Sequence, residues 1–419
     1  MIKLLRVLAG AAFFAFVLEI IAGGSGEAFS IAGISARYLV FATCVFCFAL
    51  LKLAGFFSLA FPVSRVLSVS LFCVFIALWI VLLPLMYGHG IQHALKDAAP
   101  FLGAALLLLL FDRMLLLSYW PHVRVLVFGL LAAFAVLHIG IYAAGQIDLD
   151  LALKFADALK RVFESKSAEI EKFVFIVPSG EVARVYFGSS FLLLVGLYLV
   201  FAFSGRMGFI RTAIFFLVFC AAIFATETRS LIVAASVFIL LYALVKRFRF
   251  RKPMRGIVVF VLLVLPLASS FFLLPTIDSA VIFDNTLSRG ESDQIRPEQM
   301  AGLLDAYVKT PLAGRGFGAS VDPVRNVDTP YSYELSMLAL YMKIGIGGML
   351  VLAASWALWL APTIRRIDCT KYANVVGTYP LYCSMVVASF YNPYLFGFFG
   401  TFFVIFICLE FEYLSEVNR

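Results

Sequence analysis

Four arginines, one glutamate and a glycine run mark where this chain could do chemistry. Arg289, Arg296 and Arg315 share one polar stretch, Arg229 opens an apolar run as Ala225-Thr-Glu-Thr-Arg229-Ser, and Glu334 follows Tyr331 and Tyr333. A guanidinium is a planar fork that donates to two oxygens at once, so these arginines suit a phosphate. A carboxylate such as Glu334 can accept the proton of an attacking hydroxyl, a role also open to Glu298 and Asp328. In Gly314-Arg315-Gly316-Phe317-Gly318 the glycines allow close backbone approach, with amides turned toward an anion. No Gly-Lys-Ser/Thr follows, so this is not a nucleotide loop of the Walker kind. Each feature also has a plainer reading. An arginine at a helix end can be an interfacial anchor, a carboxylate can simply pair with it, and a charged loop can simply be solvated. His89 and His93 share a helical spacing but offer two metal ligands without a third, and Cys44 and Cys47 read as packing. Neither a metal nor a cofactor is expected.

The elements that must position these residues follow from composition. Of 419 residues 63% are hydrophobic, 16% aromatic and only 14% charged. A soluble chain carries about 25% charged residues, so soluble enzymes and nucleic-acid binders are excluded despite the net charge of +8. Apolar runs of membrane-spanning length recur throughout. The pattern predicts an all-α, polytopic integral membrane protein. About 12 spans are expected near 7–22, 38–57, 66–86, 98–118, 123–144, 186–204, 209–225, 229–246, 256–274, 333–361, 373–391 and 395–413. Basic clusters at Lys52/Arg65, Arg113/Arg124, Arg206/Arg211, 246–255 and Arg365/Arg366/Lys371 fall on one side, making that side and both termini cytoplasmic. Two long loops, 145–185 and 275–332, then face outward within a single transmembrane domain 1–419. The first reads as a surface helix on Leu151, Phe155, Leu159, Val162 and Phe163. In the second, Pro297 suits a first helical position, and Met300, Leu303, Leu304 and Tyr307 mark one apolar face of a helix ending at Thr310-Pro311. Lys343 lies about two turns into the following span. The spans otherwise read as nearly free of charge away from their ends, which argues against a transporter.

Over roughly 225–350 the chain resembles the O-antigen polymerase and ligase family of membrane glycosyltransferases. The likeness rests on Thr228-Arg229-Ser230, on Arg296 to Gly318 with Pro-Leu-Ala-Gly-Arg-Gly-Phe-Gly, and on Tyr333-Glu-Leu-Ser-Met-Leu-Ala-Leu-Tyr-Met-Lys-Ile-Gly-Ile-Gly-Gly348. The resemblance implies a glycan donor on undecaprenyl diphosphate, handled at the periplasmic face of the bacterial inner membrane without nucleotide sugar or metal. It also implies membrane lipids and a chain-length regulator as partners, and no nucleic acid. Arg229, Arg296 and Arg315, with Arg289 beside them, would hold the diphosphate. Gly314, Gly316, Gly318, Tyr331 and Tyr333 would line the substrate. Ligases of this family carry a His-Asn pair about eleven residues before the glycine matched to Gly345. Here Glu334 stands there, and the four histidines, His89, His93, His122 and His138, all lie elsewhere. That departure favours a polymerase with Glu334 as base. The alternatives are a ligase acting on lipid A-core and a glycolipid flippase.

Overall fold

In lipid every backbone polar group must be satisfied within the chain, so the apolar runs fold as helices. The computed structural model describes residues 2–22, 30–31, 34–53, 62–110, 113–147, 154, 174–179, 182–187, 189–247, 290–324, 329–333, 335–366, 378–389 and 398–417. Its helices are α1 (Ile2–Ala22), α2 (Ala36–Leu53), α3 (Val63–Phe75), α4 (Leu83–Met86), α5 (Ile91–Leu110), α6 (Arg113–Ile147) and α7 (Leu193–Met207). They continue with α8 (Phe209–Ala225), α9 (Arg229–Arg247), α10 (Gly290–Lys309), α11 (Ser336–Arg366), α12 (Thr378–Ala388) and α13 (Phe398–Val417). Among the described residues, 7 helices are long and apolar enough to cross a membrane, and the chain is a membrane-embedded helical protein. The expected span near 256–274 and the surface helix on 151–163 lie outside the described residues.

The first long loop does contribute structure the sequence reading missed. Val174–Ser179 pairs antiparallel with Val182–Phe187, from Val174 opposite Phe187 to Ser179 opposite Val182. The β-branched and aromatic content of Val-Phe-Ile-Val and Val-Ala-Arg-Val-Tyr-Phe favours this pleated pairing. A smaller pair joins Ser30–Ile31 to Ile34–Ser35. The chain is therefore not purely α.

Among the described residues two packing groups are the largest parts of the core. The larger contains Phe13, Phe16, Phe48, Trp120, Tyr198, Phe219, Phe238 and Phe402, from α1, α2, α6 to α9 and α13. The smaller is built on Phe75, Trp79, Ala94, Phe317, Tyr341 and Ile344. Helix α9 packs chiefly on α12, whereas α11 packs on α3 and α10.

Side-chain pairs fix which helix ends lie together. At one end Arg65 pairs with Glu412 and stacks over Trp359 at 4.9 Å, while the Ser68 hydroxyl donates to the Ser355 carbonyl at 2.7 Å. At the other end residues 314–318 meet Trp79, Pro84, the start of α5 and Met342 to Gly345 of α11.

Candidate functional site

The site is assembled around a break in α11. Gly345 has φ 61, a left-handed conformation that glycine adopts without penalty, so the helical hydrogen-bond ladder is interrupted there. The segment after α10 is spliced into the gap. Ile346 and Gly347 amides donate to the carbonyls of Pro311 and Leu312 at 2.9 and 2.8 Å. In return the Met342 and Lys343 carbonyls accept from Arg315 and Gly316 at 3.0 and 2.7 Å.

A second irregular element meets the same loop. Between α3 and α4 the helix widens to a π-helical segment, Ile76–Leu82. The Leu83 amide bonds back to Leu78, and the donor due to Trp79 would come from Pro84, which has none. The Trp79 carbonyl is thus left to accept the Phe317 amide at 2.9 Å, and the Trp79 indole donates to the Ala313 carbonyl at 2.7 Å. Phe317 is fully buried between Phe75 and Phe101, with ring centroids at 6.0 and 5.6 Å. The loop runs at backbone contact throughout. A Cβ at Gly316 would strike the Pro84 ring and one at Gly318 the Ala94 backbone, so both positions exclude side chains.

The amides of Arg315, Gly316, Phe317 and Gly318 all end on protein acceptors, the last on Asp97 Oδ2 at 2.9 Å. They do not form the anion cradle expected of this glycine run. What the loop offers a ligand is the half-buried Arg315 side chain, which has no carboxylate partner among the described residues.

Histidines that the sequence reading set aside stand next to it. His89 follows α4, its amide held by the Pro84 carbonyl at 2.8 Å and its ring stacked on Tyr87 at 6.2 Å. Its Nε2 is buried without a hydrogen-bond partner among the described residues. Burial, and then the charge of Arg315, hold its imidazole below the usual histidine range, so it is neutral near pH 7. His93, on the first turn of α5, contacts the Tyr331 ring at 5.9 Å. One turn further along α5 lies Asp97, buried and paired with Lys343 Nζ at 2.8 Å. Lys343 also donates to the Tyr331 carbonyl at 2.8 Å. Asp97 was missed because the span expected at 98–118 is in fact Ile91–Leu110, which moves Asp97 from a loop into the bundle. The i, i+4 spacing of His89, His93 and Asp97 was the available signal.

The other candidates are placed less tightly. Tyr333 is buried, and its hydroxyl donates to the Val321 carbonyl at 2.8 Å, so that hydroxyl is engaged within the loop. Arg229 is exposed at the first turn of α9, after a strained Glu227 with φ 46. Its helix belongs with α12 and not with the α3–α10–α11 group that carries Arg315. Arg296 lies in α10, which begins at Gly290, so Pro297 sits inside the helix instead of opening it. Leu303 and Tyr307 of α10 are buried against Leu338, Met342 and Tyr341, with Met300 and Leu304 partly buried, as the expected apolar face requires. Arg289, Asp328 and Glu334 lie outside the described residues.

Two further features bear on function. Between the site and the Arg65 end, α3, α5, α11, α12 and α13 line a partly open cleft of about 480 Å³, walled almost wholly by apolar side chains such as Phe72, Phe101, Leu340, Trp356 and Phe403. Toward the Arg65 end, Glu410 is fully buried and accepts from Arg124 at 3.0 Å, Trp120 at 2.7 Å and Tyr198 at 2.8 Å. With Glu19, Asp97, Arg124, Lys343 and Glu410 all buried, the spans are not free of charge, and that argument against a transporter falls. Comparison with models of known protein families finds no match, and comparison with curated proteins finds none either.

Proposed function

We propose that this protein is a glycosyltransferase of the O-antigen polymerase kind, working at the periplasmic face of the bacterial inner membrane. It transfers a growing chain from undecaprenyl diphosphate to a lipid-linked repeat unit. The sugar C1–O bond to the diphosphate breaks, and a new C–O bond forms to the acceptor hydroxyl. The hydroxyl proton passes to a base, and undecaprenyl diphosphate leaves. One observation carries the reading: Arg315 is held half-buried, without a carboxylate partner among the described residues, beside a neutral histidine. A fixed cation offsets the charge that builds on a diphosphate leaving group. The apolar cleft suits the lipid part of such a donor, whose transfer from water is favourable. The resemblance adds Arg229, Arg296 and Arg289 as further diphosphate contacts, of which Arg229 stands on a helix packed against α12 and apart from the group around Arg315.

Glu334 is the base expected from the sequence. The orphaned Nε2 of His89 favours a second assignment, since a neutral imidazole beside Arg315 is a competent proton acceptor. A flippase for anionic glycolipids is the second reading of the whole chain, supported by the broken α11 and the buried Asp97–Lys343 pair. Banding of surface glycan in a deletion strain separates these. Core bearing one repeat unit is expected for loss of a polymerase. Bare core would instead indicate a ligase or a flippase, and unchanged banding would reject all three.

A further inference from the structure

The Asp97–Lys343 pair lies beneath the site and is expensive to bury. Two charges taken from water lose hydration that their attraction does not always offset, and apolar pairs of similar volume often serve as well. This pair is distinguished by what else it binds. Its side chains are only 8% and 7% exposed, and Asp97 accepts from both Lys343 and the Gly318 amide. Lys343 in turn holds the Tyr331 carbonyl through Nζ and the Gly316 amide through its own carbonyl. Four pieces of chain therefore converge on one ion pair: α5, α11, the loop carrying Arg315 and the segment carrying Tyr331. The break at Gly345 is what frees the Lys343 carbonyl for the loop.

We propose that Asp97 and Lys343 are positioning residues for Arg315, fixing the loop that presents its guanidinium against α5 and α11. The proposal rests on the glycosyl-transfer reading only for its activity readout. Lys343→Arg keeps the charge, and so the pairing with Asp97, but places the donors on a longer planar fork. Asp97→Asn combined with Lys343→Met removes both charges and strands neither. Each is made in the full-length chain and purified in detergent with a synthetic undecaprenyl-diphosphate repeat unit as substrate. Both variants are expected to keep wild-type yield and melting temperature while kcat falls about 100-fold and KM stays unchanged, since small misplacement of a reacting group costs about that much. Wild-type kcat in either folded variant overturns the proposal; if one variant folds poorly, the other decides. Should the wild-type chain form no polymer, the activity reading fails, and positioning is read without it. Arg315→Cys is then labelled in intact cells by an impermeant thiol reagent, with and without Lys343→Arg. A severalfold change in labelling rate is expected, and an unchanged rate overturns the proposal.

Discussion

Arg315 meets its surroundings as a side chain alone, because the amides around it are already bonded to Met342, Lys343, Trp79 and Asp97. A lysine there would keep the charge and lose the two-pronged contact, so Arg315→Lys should lower polymerisation about 10- to 100-fold, the worth of one charge-assisted hydrogen bond. Chain length and amount of surface glycan in a complemented deletion strain report this, at equal protein level. His89 gives a pH signature. Its neutral form persists below the ordinary value of 6.5, because burial and then the Arg315 charge disfavour protonation. With His89 as base, the rate falls only at a pH below the ordinary histidine value of 6.5, and Arg315→Gln should move that acid limb upward. Stability carries the same sign. The unfolded chain takes the proton first, so the His89 contribution is present above 6.5 and lost as pH falls toward its folded pKa. An acid limb that Arg315→Gln leaves in place would remove His89 from the mechanism. If Glu334 is the base, Glu334→Gln should cost about 10²–10⁴-fold in rate instead.

The decisive elements are two irregular helices, α11 with its break at Gly345 and the π-helical turn before Pro84, joined by Phe317. Phe317→Ala removes a fully buried ring and should cost about 3–5 kcal/mol of stability, read as a lower melting temperature of the purified chain. A melting temperature equal to wild type would mean that the loop is not anchored there. The apolar face of α10 and the end of that helix were legible in the sequence, since Leu303 and Tyr307 follow helical spacing. The splice was not. Hydrophobic periodicity carries no information about which distant acceptor a loop amide will find, so Gly314 to Gly318 read as an anion cradle when their amides serve Thr310, Met342, Lys343, Trp79 and Asp97. The hairpin at 174–187 was passed over for a similar reason: strand propensity is weak without knowledge of the pairing partner.

At the scale of the whole molecule, composition alone sufficed for a helical membrane protein, because 63% hydrophobic residues leave few other solutions. The interior charges were less legible. Glu410 and Asp97 sit within apolar helices, and only the fold shows Arg124 and Lys343 meeting them. Sidedness is open to direct test at Ser320, which is exposed beside the Arg315 loop. Ser320→Cys should react with an impermeant thiol reagent in intact cells, whereas reaction only after cytoplasmic access would invert the topology. The central claim is glycosyl transfer from a diphosphate lipid, and one assay addresses it without a membrane to cross. Purified chain in detergent is given a synthetic undecaprenyl-diphosphate repeat unit, and glycan length and released undecaprenyl diphosphate are measured together. The account predicts a ladder of products, one undecaprenyl diphosphate released per bond formed, and both slowed about 10- to 100-fold in Arg315→Lys. Tight binding of the lipid with neither product nor release would contradict it and leave a carrier in place of an enzyme.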